Sequence, residues 1–175
     1  MNIILVRHAE SEANRLGILQ GQKIDTSLSK RGLNQAKLVA KRLENEKISA
    51  IYASDLKRAM ETAQEIAKFH NLKVRPDKRL REKNHHAGET QRQHEKRCLS
   101  FFKEVSKHKG NIIAVAHGGT NSIILAISTG NRKKGAELYN SLGEQKHTCI
   151  NVIEKKGKKY YIRLINCAKH LKRKK

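Results

Sequence analysis

Tryptophan is absent from the 175 residues of this sequence, and aromatic residues together make up only 4% of it. No apolar run is long enough to cross a membrane as a helix. Residues 1–6 are apolar, but they are too few for a signal peptide and no basic segment precedes them. These absences predict a cytoplasmic protein with no membrane span.

Cysteine occurs only three times, at Cys98, Cys149 and Cys167, and no two of them are close in sequence. An odd, scattered set fits reduced thiols better than a disulfide framework or a zinc site. The histidines and acidic residues show no metal-binding spacing either. We therefore expect free cysteines and no metal.

Acidic residues are few: 16 Asp and Glu stand against 38 Lys and Arg, which gives a net charge of +22. Such a surface attracts polyanions. Proteins that bind single-stranded nucleic acid also use aromatic side chains for stacking, and these are rare here. We expect nucleic-acid affinity to be incidental, and a single domain over residues 1–171 followed by a basic tail at 172–175.

Strand and helix patterns alternate along the chain. The predicted strands cover residues 2–7, 48–53, 73–75, 111–116, 148–154 and 159–166. The predicted helices cover residues 30–46, the segment after an N-cap at Ser54 or Asp55, residues 91–107, and the segment through Ile123 and Ile127. This alternation predicts an α/β fold, a three-layer sandwich whose mostly parallel central sheet is flanked by helices and ends in an antiparallel hairpin.

Apolar residues recur at helical spacing in two of these helices. In the first they are Leu33, Ala36, Ala40 and Leu43. The helix over residues 91–107 is predicted to bury Cys98, Leu99, Phe102 and Val105.

Two predicted strands end in a histidine. The first delivers Arg7 and His8, and the fourth delivers His117, followed by Gly118 and the start of a helix. Either histidine alone would be an ordinary polar residue capping a strand. Because ligands of open α/β sheets bind beyond the carboxyl ends of the strands, the two together predict an anion site. Arginine and histidine suit a phosphate there.

Five short motifs in order resemble the histidine phosphatase superfamily, the phosphoglycerate mutase-like clan. They are Arg7-His8 with Glu10, Leu28-Ser29-Lys30-Arg31-Gly32 with Gln35-Ala36, Ser54-Asp55-Leu56-Lys57-Arg58-Ala59 with Thr62-Ala63, Leu80-Arg81-Glu82, and Ala116-His117-Gly118-Gly119. The ending Asn166-Cys167-Ala168-Lys169-His170-Leu171 is also similar to that family's tail. The resemblance runs from residue 3 to residue 171 and implies the phosphoglycerate mutase-like fold.

The resemblance implies a role for each matching residue. His8 would be the nucleophile that becomes a phosphohistidine, and Glu82 the general acid and then the base. The residues implied to bind the phosphoryl group or the substrate are Arg7, Asn14, Gln20, Gly21, Arg58, His117 and Gly118. No cofactor is implied, since arginines and histidines supply the positive charge.

Other residues compete for these roles. Glu89 is a rival acid because it lies only seven positions after Glu82. His85 and His86 could line the site, although paired loop histidines more often face solvent. The remaining histidines outside the motifs are interpreted as structural or surface residues: His70, His94, His108 and His147.

The sequence departs from the family in two places. Ala9 stands where glycine is usual, which would cost about 1 kcal/mol if that position required a glycine-only backbone. The segment after Glu82 is short, because Gly88-Glu89-Thr90 leads almost at once into the next helix. The lid found in many relatives is therefore expected to be truncated, with no replacement for its contacts, which leaves an open pocket.

These features predict a phosphomonoesterase that acts on a phosphorylated small molecule or a phosphoprotein. A phosphoglycerate-type mutase is the first alternative, although a mutase must exclude water and an open pocket does not. The second alternative is a non-catalytic member of the fold that binds polyanions.

Overall fold

The computed structural model describes residues 1–172, so most of the predicted basic tail lies outside the described residues. The strands are β1 (Asn2–Arg7), β2 (Ile48–Ala53), β3 (Val74–Pro76), β4 (Asn111–Ala116), β5 (Ile150–Lys156) and β6 (Lys159–Cys167). The helices are α1 (Glu12–Arg15), α2 (Lys30–Leu43), α3 (Lys57–Ala67), α4 (Gln91–Val105), α5 (Gly118–Ser128) and α6 (Arg132–Ser141). Short 3₁₀ turns cover Lys78–Leu80, His85–Ala87 and Lys169–Leu171.

The six strands form one sheet in the order β3-β2-β4-β1-β5-β6. The first four strands are parallel, whereas β5 runs antiparallel to β1, and β6 antiparallel to β5. The mostly parallel sheet with an antiparallel terminal hairpin is confirmed. β1 and β4 are neighbours at the centre, so their carboxyl ends lie side by side.

The core has two halves, one on each face of the sheet. Alternate residues of a strand point to opposite faces. Ile3 and Leu5 therefore pack with α4 and α5, while Ile4 and Val6 pack with α2 and α3. A sheet buried on both faces explains why β1 and β4 are continuous apolar runs.

The predicted N-cap of α3 is wrong. The helix begins at Lys57, and neither Ser54 nor Asp55 caps it. The carboxylate of Asp25 accepts from the Lys57 backbone N–H instead, at 2.8 and 2.9 Å. Ser54 and Asp55 are held by other partners, His117 and Arg81.

One predicted core residue is also wrong. Leu99 on α4 is 37% exposed. Phe101 is fully buried in place of Leu99. The sequence predictions also omitted α6, in which Gly135 is the only buried residue.

The described part of the chain contains no helix with the length and apolar character that a membrane crossing requires. The three cysteines are free thiols.

Candidate active site

A cavity of about 500 Å³ lies at the carboxyl ends of β1 and β4. The structure brings all of the predicted site residues to its wall: Arg7, His8, Asn14, Gln20, Gly21, Arg58, Glu82, His117 and Gly118. The motifs that are far apart in sequence therefore meet in one place, because parallel strands end at the same edge of the sheet.

His8 and His117 face each other across neighbouring strands. The His8 backbone N–H donates to the Ala116 carbonyl at 2.9 Å, which continues the β1–β4 pairing by one residue. The two imidazole rings have centroids 5.0 Å apart. Both residues are almost fully buried, with 4% and 1% exposure.

The His8 ring has a defined tautomer. Its Nδ1 lies 2.7 Å from the Ala9 carbonyl oxygen, which can only accept, so Nδ1 carries the proton. Burial, followed by the positive charges of Arg58 and Arg7, lowers the pKa of His8 well below its usual value. The ring is therefore neutral at pH 7, and its Nε2 has a free lone pair.

His117 immediately precedes α5, and one nitrogen of its ring has a hydrogen-bond partner. Its Nε2 lies 2.9 Å from the Ser54 hydroxyl oxygen, which follows β2. Its Nδ1 is buried and has no hydrogen-bond partner within residues 1–172. Burial lowers the pKa of His117 well below normal, and the nearby His8 and Arg58 lower it further.

Two arginines add positive charge to the pocket. Arg58 is 2% exposed, and its terminal nitrogens donate to the carbonyls of Gly21 at 2.8 Å and Ile24 at 3.3 Å. Arg7 donates to the Gln145 carbonyl and pairs with the Glu144 carboxylate at 3.2 Å. The Nε atoms of both arginines are buried without a partner among the described residues.

Glu82 is the acidic group beside this cationic cluster. One carboxylate oxygen accepts from the Gly119 backbone N–H at 3.1 Å, at the start of α5, and the other from the Lys83 N–H at 3.0 Å. A Cβ on Gly119 would lie 2.7 Å from the Glu82 Oε1 atom. Glycine at position 119 is therefore what admits the carboxylate to this place.

Glu89 does not line the cavity. Its carboxylate accepts from Arg97 at 2.6 and 3.0 Å and from the Asn84 backbone N–H at 2.7 Å. Burial alone would raise the pKa of Glu89, but these hydrogen bonds outweigh it and lower the pKa. His85 and His86, the other candidates on this connection, are exposed.

The opposite wall of the cavity comes from a part of the chain that the sequence did not point to. The residues are Tyr139, Asn140, Gly143, Glu144 and Gln145, at the end of α6 and in the loop after it. These residues are a part of the cavity wall that the sequence did not predict. The cavity still reaches solvent, since the lining side chains of Leu19 and Glu144 are 78% and 86% exposed.

His147, predicted to be structural or on the surface, also lies beside the nucleophile candidate. Its ring centroid is 5.8 Å from that of His8. The loop that carries it is tied to β1 by the Thr148 N–H, which donates to the Arg7 carbonyl at 3.1 Å. No motif marks His147, so only the fold of this loop reveals it.

Ala9 does not strain the backbone. Within residues 1–172 the non-glycine residues with positive φ are Asn71, Thr148 and Asn166. Ala9 is fully buried, and its N–H donates to the Thr62 hydroxyl at 3.0 Å. The strain expected if this position required glycine is therefore absent.

Within the same described residues, no cluster of His, Cys, Asp and Glu side chains could hold a metal ion.

Buried histidines should make the fold sensitive to acid. Burial is the main cause of lowered pKa values at His8 and His117, and it lowers those of His94, His147 and His170 to about 4. The unfolded chain has histidine pKa values near 6.5, so it binds more protons below that pH. The contribution of these neutral histidines to the free energy of unfolding is therefore fully present above pH 6.5, and it is lost as the pH drops towards 4.

We expect urea unfolding to show a loss of several kcal/mol between pH 7 and pH 5. His94→Gln removes one of these groups and should flatten the slope by about 1 kcal/mol per pH unit. A free energy of unfolding that does not change over this range would contradict the prediction.

A deep cationic pocket with two histidines, two arginines and one carboxylate is typical of proteins that transfer or remove phosphoryl groups. The family model of the histidine phosphatase superfamily (branch 1) matches residues 3–87 and 82–168. The chain belongs to this superfamily, as its motifs indicated, and it is a hydrolase that acts on phosphate monoesters.

Individual proteins that are similar to this chain in sequence or fold are also named as phosphatases. The chain is 33% identical over 162 residues to putative phosphoserine phosphatase 2 of Hydrogenobacter thermophilus, an alignment that covers 73% of this chain and 78% of that protein. It is 49% identical over 85 residues to phosphoserine phosphatase 1 of the same organism, covering 49% of this chain but only 40% of that one. A mycobacterial glucosyl-3-phosphoglycerate phosphatase shares the fold with a TM-score of 0.84 at 22% identity, over 95% of this chain and 99% of that one.

Proposed function

We propose that residues 1–171 form one catalytic domain that hydrolyses phosphate monoesters through a phosphohistidine on His8. The observation that carries the proposal is a set of buried donors without partners among the described residues, at Arg7 Nε, Arg58 Nε and His117 Nδ1. All three side chains line the cavity beside His8. Buried donors normally have acceptors, and phosphoryl oxygens would supply them here.

In the first step, Nε2 of His8 attacks the phosphorus atom and the bond from phosphorus to the leaving oxygen breaks. Glu82 gives a proton to that oxygen, so the product leaves as an alcohol. In the second step, Glu82 takes a proton from water, the water oxygen attacks phosphorus, and the N–P bond breaks. Inorganic phosphate is released and His8 returns to its neutral form.

The cationic groups lower the barrier by stabilising charge on the phosphoryl oxygens. The Arg58 and Arg7 guanidinium groups are always charged. His117 would donate from Nδ1, and an anionic phosphoryl group beside it would favour its protonated form. This is the reverse of its state in the free pocket, where burial and the arginines lower its pKa.

The remaining cavity residues would contact the leaving group. Asn14, Gln20 and Gly21 line one side, and the Gly118 backbone lies at the start of α5. The relatives named for phosphoserine support a small phosphorylated metabolite as substrate. The solvent-exposed mouth of the cavity also admits a phosphorylated side chain of a protein substrate.

The free thiols fit a cytoplasmic location, and the charge of +22 gives incidental affinity for nucleic acid.

The test is hydrolysis of p-nitrophenyl phosphate in EDTA, with inorganic phosphate as a competitor. We expect turnover by the wild type, and an increase of about 100-fold in KM and in the phosphate inhibition constant for Arg58→Met. Arg75→Met removes the same charge from the surface and should leave both constants unchanged. No turnover, or no inhibition by phosphate, would contradict the proposal. Transfer to a second hydroxyl in preference to water would favour a mutase.

Gly119→Ala should reduce activity without removing any catalytic group. The new methyl would lie 2.7 Å from the Glu82 Oε1 atom and would displace the carboxylate. At Gly118 the nearest atoms to a new Cβ are 3.9 Å away, which is ordinary contact. We expect kcat/KM for phenyl phosphate to fall by about tenfold or more in Gly119→Ala, and by clearly less in Gly118→Ala. Equal losses in the two variants would contradict this account.

A further inference from the structure

The segment that carries Glu82 belongs to no strand or α-helix. It lies between the 3₁₀ turns Lys78–Leu80 and His85–Ala87, after the short edge strand β3. No ladder of backbone hydrogen bonds fixes its position. The place of the carboxylate therefore depends on the side chains that hold this backbone.

Arg97 on α4 holds it. Its guanidinium donates to the backbone carbonyls of Arg79 at 2.7 Å, Arg81 at 2.6 Å and Glu82 at 3.0 Å. Its two remaining hydrogen bonds go to the Glu89 carboxylate, at 2.6 and 3.0 Å. A guanidinium has five N–H donors, and here each has an acceptor. The Arg97 side chain is only 18% exposed, so these bonds are largely shielded from water.

We propose that Arg97 is the positioning residue for Glu82, and that Glu89 fixes Arg97 in place. This inference rests on the proposed function, in which Glu82 transfers the proton. Arg97 does not line the cavity, so it does not touch the reacting atoms and would position Glu82 through the backbone. Two of the three carbonyls it binds accept a second hydrogen bond: Gln22 Nε2 donates to that of Glu82 at 2.7 Å, and the Thr120 hydroxyl donates to that of Arg81 at 2.8 Å.

The chemical consequence is specific to proton transfer. A general acid works only when it reaches the leaving oxygen, and small displacements reduce its effect strongly. Attack by His8 and binding by the arginines need no contribution from Arg97. Loss of the hydrogen bonds that the Arg97 guanidinium makes should therefore slow the hydrolysis of esters with poor leaving groups. Esters whose leaving group needs no general acid should be affected far less.

The experiment compares kcat/KM for phenyl phosphate with that for p-nitrophenyl phosphate, which shares the phenyl ring but has a nitro group that gives it a much better leaving group. This constant reports the step in which the leaving group departs. We expect Arg97→Lys, which keeps the charge but not the five-donor fork, to lower the ratio of phenyl to p-nitrophenyl activity about tenfold. Glu82→Gln should lower the same ratio by about 100-fold.

Arg79→Met is the matched control. Arg79 lies in the 3₁₀ turn just before this segment and its side chain pairs with Asp77 and Glu104, but it does not line the cavity. It should reduce stability and leave the ratio unchanged. A merely structural role for Arg97 would make Arg97→Lys behave in the same way, which would overturn the inference.

The outcomes separate the inference from the proposed function. An unchanged ratio in Arg97→Lys, with a lowered ratio in Glu82→Gln, overturns the inference alone. An unchanged ratio in Glu82→Gln overturns the role of Glu82 and the inference with it. If Arg97→Lys does not fold, Glu89→Gln decides: it weakens the anchor of Arg97 and should lower the ratio a few-fold, and no change would overturn the inference.

Discussion

We expect His8→Ala to lose hydrolysis of p-nitrophenyl phosphate by roughly three orders of magnitude or more. The reason is that no neighbouring group can take over the attack. His117 uses Nε2 to bind Ser54, and the arginines stay protonated. His147 is close, at 5.8 Å between ring centroids, but it does not line the cavity. Activity should be lost in kcat for every substrate, whatever its leaving group.

Two further measurements make this result specific. Inorganic phosphate should still bind to His8→Ala, because Arg7, Arg58 and His117 remain. Wild type mixed with substrate and quenched in alkali should carry phosphate in an acid-labile N–P bond, and His8→Ala should not. His108→Ala is the control, since His108 precedes β4 at the opposite end of the sheet and pairs with Tyr52. Phosphoenzyme or substantial turnover in His8→Ala would exclude His8 as the nucleophile.

The sheet and the position of the site could be predicted because their signals are local and strong. Buried parallel strands are continuous apolar runs, and β1 and β4 show them plainly. Parallel strands also send the residues that follow them to one edge. Arg7-His8 and His117 could therefore be placed together without knowledge of any contact.

The wall formed by α6 and the next loop could not be predicted. A helix in which the only fully buried residue is a glycine has a weak apolar pattern, and α6 packs on the core through Gly135 and the partly buried Leu138. The loop is held by tertiary contacts: Asn166 on β6 accepts from the Lys146 N–H at 2.9 Å and donates to the Glu144 carbonyl at 3.2 Å. Such pairings over some 20 residues have no sequence signature.

The N-cap of α3 was also predicted wrongly because it depends on tertiary contacts. Ser54 and Asp55 have the right chemistry to cap α3, but each has a stronger partner in the folded protein. Asp55 makes two bonds of 2.6 Å with Arg81, whose hydrogen bonds lower the pKa of Asp55. The cap comes from Asp25, more than 30 residues earlier, and local preference could not reveal it.

Glu82→Gln should lower kcat/KM for phenyl phosphate by about 100-fold or more, and for p-nitrophenyl phosphate by much less. Phosphate binding should persist, because glutamine keeps the shape of the side chain and the arginines are untouched. The amide cannot give or take the proton, so only esters that need an acid are slowed strongly. The pair of substrates therefore reports the role of Glu82 more directly than either rate alone.

Glu89→Gln is the matched comparison, since sequence alone could not decide between the two acids. The Glu89 carboxylate is occupied by Arg97 and the Asn84 N–H, and it does not line the cavity, so it cannot reach a leaving group bound there. Its replacement should cost only a few-fold, through a looser Arg97. A severe loss in Glu89→Gln with little change in Glu82→Gln would reverse the assignment. The two carboxylates on this connection differ in their partners. Glu89 is paired with the Arg97 guanidinium and therefore has a structural role. Glu82 is held only by backbone N–H groups at the cavity, so it is the carboxylate that can transfer the proton.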